Sequence, residues 1–271
     1  METKRNLKYF TAPPVSIPAL IGWAIAIVGV VFLAFFWYLR LAGIIIAIVG
    51  FAVVVFSSGG QSTDTDLEYQ ISERIKNLQE LSEKKNEVYE KSFLKMLKPI
   101  NLRGYDFLAK EEPFYYKKGK DGVSRTNYFT AANLIFTNEK VFIFGRRFSM
   151  IDESIDAIFS SSYYFNELDR AEVVEKIYEY KKGDRTVQVK YYVFRILASD
   201  GNAVLEMCVD YGADIDKYAE QISRAIVTRQ KELAKRAEET AQRRAEFRAK
   251  VEAEKAAIAR GEMDPDEGAP M

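Results

Sequence analysis

The chain carries no charged side chain from residue 9 to residue 39, nor again from 41 to 63, and Arg40 stands alone between the two runs. Uncharged stretches of this length belong in a membrane, where a spanning helix needs about 20 apolar residues. The first, I-P-A-L-I-G-W-A-I-A-I-V-G-V-V-F-L-A-F-F-W over residues 17–37, reaches about 31 Å at ~1.5 Å per residue. The second, residues 41–57, reaches about 25 Å, near the lower limit for a span. Tyr38, Leu39 and Arg40 leave room only for a tight turn, so residues 17–57 are expected to form an antiparallel helical hairpin with both ends on one side. The first run is too long for a signal-peptide core and is followed at once by the second, which argues against cleavage. Lys4, Arg5 and Lys8 precede the hairpin while Arg40 alone lies in the turn, so the positive-inside rule places both termini in the cytoplasm, and a bacterial inner membrane is the expected location. Residues 1–16 are then a cytoplasmic N-terminal segment.

Gly22 and Gly29 fall seven apart in the first run, Gly43 and Gly50 in the second. Two readings stand. The glycines let the two helices approach closely, or they reflect the ordinary frequency of glycine in membrane helices. The runs hold no ionisable group, so an anchor is expected rather than an ion or proton path.

Composition then removes most chemistry. Histidine is absent, which excludes Ser-His-Asp and Cys-His machinery and histidine-ligated metals. Cys208 is the only cysteine, so no intramolecular disulfide or multi-cysteine cluster forms, and its setting in E-M-C-V-D reads as core. Lys plus Arg and Asp plus Glu are both 39, so net charge gives no argument for nucleic-acid binding. No phosphate-loop, dinucleotide, serine-hydrolase or zincin pattern is present. No catalytic residue, metal or cofactor is therefore expected.

Residues 58–64 are rich in Ser and Gly and read as a hinge. Thr65 with Glu68 has capping-box spacing, and Ile71, Ile75, Leu78, Leu81 and Val88 recur as a helical stripe interrupted at Lys85, so one connector helix is expected over 65–99. That helix either joins a partner as a short coiled coil or lies against its own domain.

From about residue 105 the texture changes to β-branched and aromatic runs at 112–117, 128–136, 140–146, 155–164, 173–181, 187–198 and 203–209. They are joined by turns such as Thr137-Asn138-Glu139, Lys182-Gly183-Asp184 and Ser199-Asp200-Gly201-Asn202. Asp214 then caps a helix carrying Ile215, Tyr218, Ile222 and Ile226 on one face. The stretches N-L-I-F-T-N-E-K-V-F-I-F (133–144) and F-R-I-L-A-S-D-G-N-A-V-L-E-M (194–207), with that helix, resemble bacterial pleckstrin-homology-like (PH-like) and GRAM-type domains over 105–230. The helix lacks the tryptophan that eukaryotic members usually carry there. The resemblance implies an α+β fold with a seven-stranded antiparallel barrel or sandwich capped by the C-terminal helix. It also implies an anionic-headgroup site in the loop after the first strand, here Y-Y-K-K-G-K-D-G-V-S-R, with Lys117, Lys118, Lys120 and Arg125 as its cations. The plainer reading is a solvated charged loop. Arg146 and Arg147 form a second basic pair with the same two readings.

The domain helix meets no stop signal and runs on over 231–260. Ala237, Ala241, Ala245, Ala249, Ala253 and Ala257 recur every four residues, a spacing that winds around the helix, and Glu239–Arg243 and Glu246–Lys250 pairs suit a solvated arm. Residues 261–271 are acidic and apolar-poor, the composition of a disordered tail. The expected protein is a membrane-anchored, non-enzymatic scaffold or adaptor whose partners are the bilayer and either another protein or a second copy. Two alternatives are an anionic-lipid headgroup sensor working through the basic loop, and an enzyme acting on membrane-derived substrate.

Overall fold

The computed structural model describes residues 2–12, 17–58, 60–87, 97–182, 185–210, 212 and 214–260. The expected tail 261–271, connector residues 88–96 with Val88, the hinge glycine Gly59 and the turn residues Gly183 and Asp184 lie outside these, while 97–99 at the connector's end are described and are not helical. The fold is α+β, with antiparallel sheets and two apolar helices long enough to cross a membrane.

Helix α1 (Glu2–Thr11) opens the chain, followed by the apolar pair α2 (Ile17–Phe35) and α3 (Arg40–Ser58), joined by a 3-10 turn at Trp37–Leu39. The Arg40 guanidinium stacks 4.0 Å from the Trp37 ring centre. The glycines decide how the pair packs. A Cβ on Gly22 would stand 2.9 Å from the Gly50 carbonyl oxygen, and one on Gly43 would stand 2.8 Å from that of Gly29. Cβ atoms on Gly29 and Gly50 would strike the backbones of Ala47 and Ala26. The helices are in backbone contact along this seam, so the close-approach reading holds.

The connector departs from expectation. It forms two helices, α4 (Asp64–Ile75) and α5 (Leu78–Lys85), broken at Lys76 and Asn77. The capping box is Thr63 with Asp66: the Asp66 amide donates to Thr63 Oγ1 at 3.1 Å and the Thr63 amide to Asp66 Oδ2 at 2.9 Å. Glu68, the expected partner of Thr65, is drawn instead to the β-domain. Leu67, Ile71 and Leu78 are buried, so the connector lies against its own domain.

Among the described residues nine strands follow where seven were expected. A four-stranded sheet has the order β1 (Ile100–Tyr105), β4 (Tyr128–Phe136), β5 (Lys140–Ser149), β6 (Asp156–Tyr164). A hairpin of β2 (Tyr116–Lys118) and β3 (Ser124–Thr126) is inserted between β1 and β4. A three-stranded sheet has the order β7 (Leu168–Lys182), β8 (Arg185–Ala198), β9 (Ala203–Val209). All pairings are antiparallel. The expected strand at 112–117 shrinks to its last residues, because Pro113 has no amide to give to a ladder. The sheets do not close into a barrel among the described residues. They meet where the Asp210 amide donates to the Arg103 carbonyl at 2.9 Å, beside Gly104, whose Cβ would lie 2.6 Å from the Cys208 carbonyl oxygen.

β4 is buried along its whole length because both of its faces are covered. On one side Ala132, Leu134 and Phe136 join Ile143, Phe194, Ile222 and Ile226 in a core closed by helix α6 (Ile215–Ala259). On the other, Phe129 and Ala131 join Tyr9, Phe10, Leu67, Ile71 and Phe148 beneath α1, α4 and α5. The helices flanking the hairpin therefore belong to the domain's core. α6 is continuous for 45 residues, but the last of its side chains packed on the apolar core is Leu233. The remaining 26 residues, about 39 Å at ~1.5 Å each, join neither core among the described residues.

Candidate functional site

The base of the hairpin is where charge, burial and chain geometry converge. In α1 the three- and four-residue spacing of Asn6, Tyr9 and Phe10 puts all three on the face that packs against the domain. The buried Asn6 side chain has its amide hydrogens on Gln70 Oε1 (2.7 Å) and the Met150 carbonyl (2.8 Å), and its Oδ1 accepts from Ser62 Oγ at 2.5 Å. The Tyr9 hydroxyl donates to Asp64 Oδ1 at 2.5 Å. Burial, reinforced by that carboxylate, pushes the Tyr9 phenol up from its ordinary value.

Into this junction reaches the β2–β3 hairpin. Lys117 donates from Nζ to the Tyr9 carbonyl at 2.5 Å, in the last turn of α1, and lies 4.1 Å from the Tyr9 ring centre. A cation there satisfies a carbonyl that the helix end leaves unpaired. Desolvation lowers the Lys117 ammonium pKa. The Lys120 amide donates to Asp64 Oδ2 at 2.8 Å. Arg125 is 1% exposed and fully engaged. Its Nε donates to the Tyr105 hydroxyl at 3.0 Å, its two Nη atoms grip Asp121 at 2.8 and 2.6 Å, and Nη2 also reaches Glu68 Oε1 at 3.0 Å. The Tyr105 hydroxyl in turn donates to Glu68 at 2.8 Å. These bonds hold the Asp121 carboxyl down at about 2, while burial and then Glu68 raise the Tyr105 phenol.

The four cations expected at this loop are thus divided by the fold. Arg125 is turned inward as the clamp between the β2–β3 hairpin and α4, and Lys117 is tied to α1. Lys118 and Lys120 keep exposed side chains with no ion pair among the described residues. They sit at the hairpin tip that touches Tyr9, eight residues before α2, and Asp64, six residues after α3. Lys8, also exposed, reaches the same junction, its Nζ 3.6 Å from where a Gly60 Cβ would be. Arg146 and Arg147 are likewise committed. Arg146 grips Asp156 at 2.8 and 2.6 Å, and Arg147 bridges Asp106 at 2.7 Å and Glu111 at 2.5 Å. Hydrogen bonds from Arg147 hold Glu111 down to about 2.

Sequence reading missed Asn6, Tyr9, Asp64, Glu68 and Asp121 as parts of this junction. Sequence reading takes residues 1–16 only as a cytoplasmic segment with no helix, and the partners of Asn6 and Tyr9 lie 55 to 144 residues away along the chain.

A cleft of about 540 Å³ opens beside the clamp, lined by Tyr105, Phe107, Tyr191, Arg125 and Lys190. Cys208 at its floor is inert, its thiol pushed up to about 12 by burial and by Asp106, with Sγ accepting from the Phe107 amide at 3.2 Å. No cluster of three or more metal-ligating side chains occurs among the described residues. No family model, curated protein or solved structure matches this chain.

Proposed function

We propose that the protein is a membrane-anchored, non-enzymatic adaptor: α2 and α3 hold it in the bilayer, the β-domain sits on the hairpin base, and the free part of α6 is the arm that a protein partner binds. The observation that carries this reading is the 26-residue segment of α6 beyond Leu233, which is helical yet joins neither apolar core among the described residues. A segment that its own domain leaves largely exposed has its surface available to a partner. The order of elements supports a PH-like reading of the domain: a four-stranded meander, a three-stranded meander and a helix over the core, with β2–β3 as an insertion in the first connection. Lys4, Arg5 and Lys8 before the hairpin support a cytoplasmic domain at an inner membrane.

The test is cross-linking in native membranes followed by mass spectrometry, comparing the full chain with one ending at Leu233. Recovery of a stoichiometric partner that disappears with the arm is expected. Identical recoveries from both chains would remove the arm from the proposal.

A second reading, contact with anionic headgroups, is favoured by the exposed Lys8, Lys118 and Lys120 around the point where the chain meets the membrane.

A further inference from the structure

The two outer strands of the sheets are built in opposite ways. β7, the edge of the three-stranded sheet, carries eight charged side chains in fifteen residues and has a register shift between Leu168 and Arg170. Ser223 of α6 also covers it, bonded to both the amide and the carbonyl of Ala171 at 3.0 Å. Charge, irregularity and cover are the devices that keep an edge from pairing with another chain. β6, the edge of the four-stranded sheet, has them only at its two ends, where Asp156 is charged and the Tyr164 amide donates to the Glu167 carboxylate at 2.7 Å; from Ala157 to Tyr163 it has none. Its sequence is D-A-I-F-S-S-S-Y-Y, its one charge is the first residue, and that charge is neutralised by Arg146 at 2.6 Å. It pairs with β5 in unbroken register from Asp156 to Tyr164 and has no strand on its other side among the described residues. Ile158 and Tyr164 are 57% and 48% exposed on its solvent face.

The residues of β6 read as a self-complementary set. Paired antiparallel with a second copy about Ser161, the strand sets Phe159 opposite Tyr163 on the core-facing side, with Ser161 opposite itself. On the solvent side it sets Ile158 opposite Tyr164 and Ser160 opposite Ser162. Aromatic–aromatic, aromatic–β-branched and hydroxyl pairs are the cross-strand combinations that stabilise antiparallel ladders. No charge meets a like charge, since Asp156 falls opposite Asn166. Sliding the centre to Ser160 or Ser162 breaks the aromatic pairs. The strand is also held in place for this: Phe159 lies flat over Gly145 of β5, where any Cβ would enter its ring.

We propose that β6 is a homodimer edge, at which two copies join their four-stranded sheets into one eight-stranded sheet across a two-fold axis through Ser161. A single strand pair is a small contact, and confinement of both copies to one bilayer raises the effective concentration at which it forms.

The experiment uses the full chain in proteoliposomes. Residues directly opposite in an antiparallel pair have Cα atoms about 4.5–5.5 Å apart, within the span of a disulfide. Mild oxidation of Ser161→Cys is therefore expected to yield a covalent dimer, whereas Ser154→Cys, on the exposed loop before the strand, stays monomeric; the native Cys208 is buried in both. Equal cross-linking of the two variants would overturn the proposal, because it reports random collision. Energy transfer between labelled copies is also expected to fall to the diluted-lipid control in Ser161→Lys, which sets two ammonium groups face to face, with circular dichroism confirming the fold. Energy transfer unchanged in a folded Ser161→Lys would place any dimer contact elsewhere and would overturn it as well.

Discussion

Arg125 is a long cationic side chain that the fold buries completely, and it survives there because every direction in which it can donate is met by an acceptor. Replacing it with leucine keeps the apolar bulk but leaves Tyr105, Glu68 and Asp121 facing a group that cannot donate. We expect Arg125→Leu to lose about 1–3 kcal/mol, because Glu68 and Asp121 are each 42% exposed and regain water once the guanidinium is gone, read by urea unfolding in detergent. Protection from hydrogen exchange should fall first in α1 and α4. Acid probes the same bonds from the carboxylate side. Asp121 and Glu111 are both held at about 2, below the usual carboxylate value. A depressed pKa in the folded state stabilises at pH values above the ordinary one and is lost as pH falls through the depressed value. Melting temperature should therefore decline between about pH 4.5 and 2, and Glu111→Gln should flatten part of that decline.

At the scale of elements, the hairpin makes the sharpest demand. A side chain on Gly29 would run into the Ala47 backbone, so Gly29→Val forces the helices apart and should cost about 1–3 kcal/mol as overpacking does, followed by ellipticity during an SDS titration. Ile27→Val, on a side chain 60% exposed, should change little. The same glycines were visible as a seven-residue spacing, and the strands at 128–136 and 203–209 were legible to the residue because their apolar content and flanking turns coincide with their ends. β1 was not. Its six residues include Arg103 and Gly104, and it exists because β4 on one side and the end of β9 on the other supply its hydrogen bonds. The break in the connector was hidden for another reason: the apolar stripe continues across it from Ile75 to Leu78, and no glycine or proline marks it. At the candidate site the cations were visible but their roles were not. Nothing in Y-Y-K-K-G-K-D-G-V-S-R says which cation faces inward, because the deciding partners, Tyr9 and Glu68, belong to helices on either side of the hairpin.

Across the whole molecule, the clamp fixes the domain to the two chain segments that lead into and out of α2 and α3. The exposed ammonium groups of Lys8, Lys118 and Lys120 are therefore held near the headgroups whenever the hairpin is in a bilayer. Lysines so placed each attract anionic lipid with an energy of about 1 kcal/mol. The full-length triple variant Lys8→Gln, Lys118→Gln, Lys120→Gln should retain several-fold fewer phosphatidylglycerol molecules than the native chain on extraction from a mixed bilayer, counted by native mass spectrometry. Equal retention would leave the basic tip as a solvated loop.

The docking of α1 has one more consequence, for how the molecule is made. α1 is synthesised before both apolar helices, yet the Met150 carbonyl that receives Asn6 comes 144 residues later, after them. A chain in which only one of the two apolar helices crossed a bilayer would hold Asn6, Tyr9 and Phe10 on the side opposite their partners and take Tyr9 and Phe10 out of the core beneath α4. Crossing by both helices, or by neither, is then a condition for completing that core.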